Sequence, residues 1–329
     1  MLQGKELILA TKKYALENRS LSWFHLILTL VLFLIAYAGA IINFHLIPQI
    51  ICSLFAGLLS VRFFIIYHDY LHKSILQGSF LAKFIFTVFG LFILAPTSIW
   101  KRSHDYHHAH NSKLYTTSIG SFPVVTKKDF LSASRSEQKI YLFIRHPLTI
   151  IFGYIFVFLW GMCLRTLIKS GLRKHMDCLA SVLFHFTLGG LIWYFFGLQS
   201  FVLGFLLPAI ISNGLGSYLF YAQHNFPAVI YKQKNEWSYA DAAMQSSSYM
   251  KMNKFMHWCT GNIGYHHIHH LNARIPFYKL PIVYAEMPEL QNVGTTSLSP
   301  NDILDCFRLK IWDPELNKMI GLKELSGTN

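Results

Sequence analysis

Histidine is the residue type whose number and spacing in this chain could do chemistry. There are 17 histidines against 16 Asp and Glu together, and imidazole is the commonest protein ligand for transition metals. Three clusters stand out. In His68-Asp69-Tyr70-Leu71-His72 two imidazoles lie four residues apart, which on a helix places them one above the other on a single face. In His104-Asp105-Tyr106-His107-His108 three imidazoles fall at i, i+3 and i+4, and the same spacing returns in His266-His267-Ile268-His269-His270. Eight histidines exceed what one zinc ion takes, so two metal ions are implied, and imidazole ligation alone leaves iron, copper, zinc and nickel open. No Glu stands three residues before any of the eight, which excludes the Glu-x-x-His pattern of the carboxylate di-iron bundles. Asp69 and Asp105 each follow the leading histidine of a cluster and could orient a ligand ring by accepting a hydrogen bond from its second nitrogen.

The elements that must bring these clusters together are apolar helices. Four segments, about 21–42, 48–67, 178–198 and 201–220, are long and apolar enough to cross a hydrocarbon layer of roughly 30 Å as helices of about 20 residues. Only a few residues join the first pair, and Gln199 and Ser200 join the second, so two tight hairpins are expected. Neither hairpin tip carries Lys or Arg. The basic residues lie in the N-terminal arm, near Arg62, between residues 73 and 174, and after Lys232, which places both termini and the histidine clusters in the cytoplasm. Two further apolar stretches, about 80–100 and 148–164, are nearly long enough to span. If the first crossed completely, the clusters flanking it would face opposite compartments, so both are expected to be re-entrant or interfacial. Ala36-Tyr37-Ala38 mimics a signal-peptide cleavage site, but the apolar run continues past it and a retained first helix is expected. The expected fold is therefore an all-α integral membrane protein, a single unit over residues 1–329, with four transmembrane helices in two hairpins, re-entrant or interfacial helices and a cytoplasmic histidine-rich helical cap.

Composition excludes several other classes. The chain is 53% hydrophobic and 14% charged, with a mean hydropathy of +0.35, as membrane proteins are. A net charge of +13 would suit nucleic acid if it formed one soluble basic face, but the basic residues alternate with apolar runs, so a membrane surface or an acidic protein partner is expected and nucleic acid is not. The five cysteines are scattered and never spaced as CxxC, which argues against a disulfide framework or a thiolate metal site. His110 and His267 adjoin the clusters but lie off the shared faces. His25, His45, His146, His175 and His257 are isolated and read as surface or interfacial residues. His185 lies inside the third span, where an ionisable group is a functional suspect unless hydrogen bonded. Asn213, in the small-residue run Ser212-Asn213-Gly214-Leu215-Gly216-Ser217, fits helix packing better than a substrate tunnel.

The order HxxxH, HxxHH, HxxHH, with 31 residues between the first two boxes and two membrane hairpins, resembles the membrane fatty acid desaturase family. The local sequences Tyr221-Ala222-Gln223-His224-Asn225-Phe226, Glu236-Trp237-Ser238-Tyr239, Thr260-Gly261-Asn262-Ile263-Gly264-Tyr265 and Arg274-Ile275-Pro276-Phe277-Tyr278 are similar to those of bacterial and cyanobacterial acyl-lipid desaturases, and the likeness covers about residues 20–285. The resemblance implies a di-iron centre, Fe2+ when reduced, bound by His68, His72, His104, His107, His108, His266, His269 and His270, with His224 as a ninth ligand. Pro227 departs from the pattern, since many relatives carry an acidic residue there.

That reading implies O2-dependent insertion of a cis double bond into the acyl chain of a membrane lipid or fatty acid. An aliphatic C–H bond offers neither an acidic proton nor a carbonyl, so acid–base chemistry cannot attack it and metal-activated oxygen is required. The same histidines would serve a lipid or carotenoid hydroxylase or ketolase, and only the resemblance favours desaturation. A zinc-dependent hydrolase or a metal transporter is a rival of another class, although a transporter would carry its ligands near the bilayer midplane. No haem-attachment motif, Rossmann glycine pattern or Fe–S cysteine cluster occurs. An external electron donor is expected, either a ferredoxin-like acidic protein or another carrier, and the expected location is a bacterial inner membrane.

Overall fold

The computed structural model describes residues 2–115, 122–171 and 174–325. It is mostly helical. The first hairpin pairs Arg19–Ile41 with Leu46–Leu71. Asn18 starts it as an N-cap, its side chain accepting from Leu21 N at 3.0 Å. Gln49 Nε2 then donates to Ala40 O across the turn at 2.8 Å. The outward face of the first helix is apolar, with Phe24, Ile27, Val31, Leu34 and Ile35 all exposed, while the small or polar residues Ser22, Thr29, Ala36 and Ala40 are buried. This inverts the pattern of a water-soluble helix and is the arrangement a lipid environment favours.

From Met176 to Ala222 the chain is almost continuously helical, through a π-helical stretch at Val202–Leu206. It nevertheless doubles back. Gly197 adopts φ 84° and ψ 178°, a conformation open to glycine and strained for other residues. The rings of His185 and Phe205 consequently lie 4.6 Å apart, whereas 20 residues of straight helix would separate them by about 30 Å. The second hairpin thus turns two residues before the expected Gln199. Leu207–Ala222 then packs along Leu46–Leu71, where Gly57 leaves no room for a Cβ against Ile211 (2.7 Å), and both helices end on the same side of the molecule.

Among the described residues three helices, Arg19–Ile41, Leu46–Leu71 and the doubled-back Met176–Ala222, are long and apolar enough to cross a membrane. The count reaches four if Phe80–Phe92 and Thr97–His110, bent by 90° at a short break, count as one broken span. The stretch 148–164 is a five-residue helix, Pro147–Ile151, followed by a π-helix, Tyr154–Leu164. It sits hard against the last long helix, since a Cβ on Gly153 would fall 1.9 Å from Ser217 Oγ and one on Gly214 would fall 2.5 Å from Ile151 O. The small residues around Asn213 therefore do allow the close packing expected of them.

The remainder adds a few short strands to the mostly helical fold. Tyr249–Lys251 pairs in parallel with Thr295–Ser297, and Ile311–Asp313 pairs antiparallel with Lys318–Ile320. These three-residue strands lie in the more polar sequence after the second hairpin, where short extended pieces pair their backbones locally. Arg62, buried in the first hairpin, binds this region to the long helices. It donates to Thr29 Oγ1 at 3.0 Å and to Trp258 O, and its guanidinium lies 4.3 Å from the centre of the Trp258 ring.

Candidate metal centre

The three histidine clusters converge at helix ends. His68 sits in the last turn of Leu46–Leu71 and His72 caps it; His107 and His108 occupy the last turn of Thr97–His110; His269 and His270 occupy the last turn of His266–Leu271. His224 follows the end of Leu207–Ala222. The free carbonyls of a helix C-terminus carry partial negative charge, so every one of these positions favours a cation.

The imidazoles assort into two groups. His68, His72, His104, His108 and His269 form one, and His107, His224, His266 and His270 the other, with the candidate ligand atoms inside each group all within 4.8 Å of one another. The two HxxHH boxes thus split, one giving His104 and His108 to the first group and His107 to the second, and the other giving His269 to the first and His266 and His270 to the second, while the HxxxH box stays whole in the first. The Nε2 atoms face each other, at 2.8 Å for His68 and His104, 3.0 Å for His107 and His224, and 2.9 Å for His266 and His224. Two of the rings have their tautomer set from behind. His68 Nδ1 donates to Asp69 Oδ1 at 3.2 Å and His224 Nδ1 donates to Ser246 O at 3.0 Å, which leaves an Nε2 lone pair directed into each group.

Burial, reinforced by neighbouring imidazoles, holds His266, His269 and His270 well below the ordinary histidine range. Burial takes His224 down to about 4 against the opposing pull of the Ser246 carbonyl. These rings are therefore neutral at pH 7, as metal ligands must be. Two tight, buried sets of neutral nitrogen donors match the demands of two first-row transition-metal ions and offer nothing to a hard oxygen-seeking cation.

The other sequence candidates fall in different places. Asp69 is buried, and besides His68 it accepts from Phe277 N at 2.7 Å, so it links the first box to the loop after the third. Asp105 turns outward to Lys101 Nζ at 2.5 Å and is half-exposed, which corrects the expectation that it orients a ligand ring. His267 contacts Leu290 O at 2.9 Å and His110 contacts Tyr106 O at 2.9 Å, each away from the two groups. His185 is a satisfied interhelical imidazole, with Nδ1 donating to Phe92 O and Nε2 accepting from Tyr154 OH.

Some positioning residues were not found in the sequence. His175, expected at the surface, is buried beside Ser98 Oγ at 2.8 Å. Asp177 accepts from Ser98 N at 2.8 Å and from Ser98 Oγ at 2.6 Å, clamping the start of the helix that carries the second box. Asn225, next to His224, is held by Arg145 Nη2 at 2.6 Å and donates to Cys306 O at 2.7 Å. A lone Arg145 close to an apolar run was the only signal of this contact, and its partner is 80 residues away.

Two cavities reach the centre. One is narrow and apolar, lined by Val61, Phe64, Ile65, Phe158 and Leu219, has Ser212, Asn213 and Gly216 along its wall, and touches His68 and His266, one imidazole of each group. Asn213 therefore lines a cavity as well as packing a helix. The other, about 480 Å3, is polar, includes Asn111, Arg145 and Asn225, and touches His107 and His224.

A helical protein of the membrane type, with two buried all-histidine sites beside an apolar cavity, is what the fold and site define. The family model for fatty acid desaturases matches residues 44–296, and the chain belongs to that family. It is 31% identical to a fatty acid desaturase of Bacillus subtilis, over 89% of this chain and 82% of the relative. It is 24% identical to an sn-1 oleoyl-lipid 12-desaturase of Anabaena variabilis, over 83% and 78% respectively. An omega-6 fatty acid desaturase of Arabidopsis chloroplasts is 25% identical over 79% of this chain and 56% of its own length.

Removing the carboxylate behind His68 tests how the site is held. Asp69→Asn keeps the size of the side chain but loses the charge. It is expected to weaken metal retention by about 10- to 100-fold, measured as metal per chain against a competing chelator, with the protein still folded and in the membrane.

Proposed function

We propose that this chain binds two iron ions and uses O2, with two electrons from an external donor, to introduce a cis double bond into the acyl chain of a membrane lipid. His68, His72, His104, His108 and His269 would hold one ion, and His107, His224, His266 and His270 the other. The observation that carries the reading is the narrow apolar cavity touching an imidazole of each group, because it sets apolar walls beside both sites at once, where an acyl chain would lie. The name of the Anabaena relative supports a lipid-borne chain as substrate.

Bound as a reduced pair, the irons would supply the O2-derived oxidising power that an unactivated C–H bond demands. The rest is done by the chain itself. Val61, Phe64, Ile65, Phe158 and Leu219 exclude water and align the methylenes, while Asp69 and the Ser246 carbonyl fix the two rings whose lone pairs they direct. The overall change removes one hydrogen from each of two adjacent carbons. O2 takes these, two protons and two electrons, and leaves as two waters. The basic surface suits an acidic carrier such as a ferredoxin-like protein as the source of those electrons.

We further infer that both termini and all the boxes lie on the cytoplasmic side of a bacterial inner membrane, and that residues 1–329 act as one membrane-embedded unit. The 13-residue helix Phe80–Phe92, its 90° bend, and the short helix and π-turns of 147–164 support re-entrant or interfacial placement for both doubtful stretches.

Expression in a host without polyunsaturated lipids, with fatty acids profiled by mass spectrometry, tests the reaction. The expected result is a new cis double bond together with about two irons per chain, two being the number that nine imidazoles in two groups would hold. Hydroxylated or ketonised lipid would overturn the desaturation and keep the metal site. Zinc alone would overturn both.

A further inference from the structure

The helix Thr97–His110 has a second functional-looking face. His104, His107 and His108 point to the metal centre, while Ile99, Arg102, Ser103 and Tyr106, at i, i+3, i+4 and i+7, line a separate open groove of about 870 Å3. Ile140, Phe143, Phe156 and Trp160, with Arg165 and Lys169, line it as well. None of its lining residues is one of the nine clustered histidines.

Two properties of this groove belong together. Ile140, Phe143 and Trp160 are large apolar side chains more than half exposed, an arrangement costly in water and natural against acyl chains. Arg102, Arg165 and Lys169 are exposed cations, and among the described residues no carboxylate pairs with any of them. Arg165 and Lys169, one helical turn apart on Arg165–Ser170, present both charges on the same side. A phosphate offers the acceptor geometry that guanidinium groups bind best. An acidic protein would meet the charges but would leave the apolar walls uncovered.

We propose that this groove is a binding site for an anionic glycerophospholipid. The headgroup phosphate lies among Arg102, Arg165 and Lys169, and acyl chains lie along Ile140, Phe143, Phe156 and Trp160. The site is separate from the apolar cavity at the metal centre, and the inference stands or falls independently of the desaturase reading because its readout is lipid binding.

Trp160 supplies the probe. The full chain in phosphatidylcholine nanodiscs is titrated with brominated phosphatidylglycerol or brominated phosphatidylcholine, and the Trp160 signal is taken as the difference between wild type and Trp160→Phe. Quenching is expected at a much lower content of the brominated phosphatidylglycerol. The triple variant R102Q/R165Q/K169Q should raise that midpoint by about fivefold for each charge removed. K128Q/K254Q/K323Q, which removes three exposed charges outside the groove lining, should leave it unchanged, and unaltered circular dichroism and metal content report that both variants fold. Equal midpoints for the two lipids would overturn the proposal, as would an unmoved triple variant or an equal shift in the control. If phosphatidylglycerol shows no preference but salt-sensitive binding of an acidic ferredoxin needs the same three residues, the groove docks a protein and the lipid assignment is wrong.

Discussion

Alanine at His269 or His107 is expected to abolish the new double bond in the lipid profile while leaving the protein in the membrane. His269 belongs to the first histidine group and His107 to the second, so the pair of variants tests both sites separately. Each side chain is buried and makes its Nε2 contact with another cluster imidazole, His269 with His108 at 3.1 Å and His107 with His224 at 3.0 Å. Apart from those contacts the Nδ1 of each ring has no hydrogen-bond partner, so its loss empties space at a helix end and spares the long hairpins. Metal content should fall toward one ion per chain in each variant. If either variant keeps two metals and full activity, the ligand assignment fails at that residue. If the variant disappears from the membrane fraction, the residue is structural, and His→Gln, which keeps bulk and polarity but not imidazole ligation, separates the two effects.

The second large effect concerns the apolar cavity. Gly216 lines it, and a Cβ there would meet only Phe158 Cζ at 3.8 Å, an ordinary contact. Gly216→Leu therefore projects into the cavity with little strain in the packing around it. Position 216 lies eight residues before His224, about 12 Å along the helix, so the added side chain obstructs the path of the chain and not the metals. Two metals per chain should remain. Turnover on the native acyl length should fall by about tenfold or more, the cost of misplacing the reacting carbons by an ångström or more, and shorter chains should suffer less. An unchanged product profile would mean that the acyl chain does not use this cavity. Gly57→Leu is the contrasting variant, because there the added atoms collide with Ile211 and should destabilise the helix pair.

Much of the site was legible along the chain because metal ligation is a matter of residue type and short-range spacing. Imidazoles at i, i+3 and i+4 share a helical face wherever that helix lies, so the eight box histidines and the implied pair of metals could be read from sequence. The four long apolar segments were legible for a similar reason, since helix length against bilayer thickness is a one-dimensional quantity. His224 was different. It has no box spacing, entered only through resemblance, and is joined to His107 and His266 by folding alone.

What tertiary structure decided is whatever depends on distance across the chain. The division of the two HxxHH boxes between the two groups follows from how three helix ends and the segment after Ala222 meet. Asp69 and Asp105 occupy equivalent places in their boxes, yet Phe277 N closes on Asp69 from 208 residues away while Lys101, four residues off, draws Asp105 into solvent. The same holds for the Asp177 clamp on Ser98 and the contact of Asn225 with Arg145. Local chemistry selects which residues can bind a metal, but a hydrogen bond between distant segments forms only once burial has brought them together and made an unpaired polar group costly.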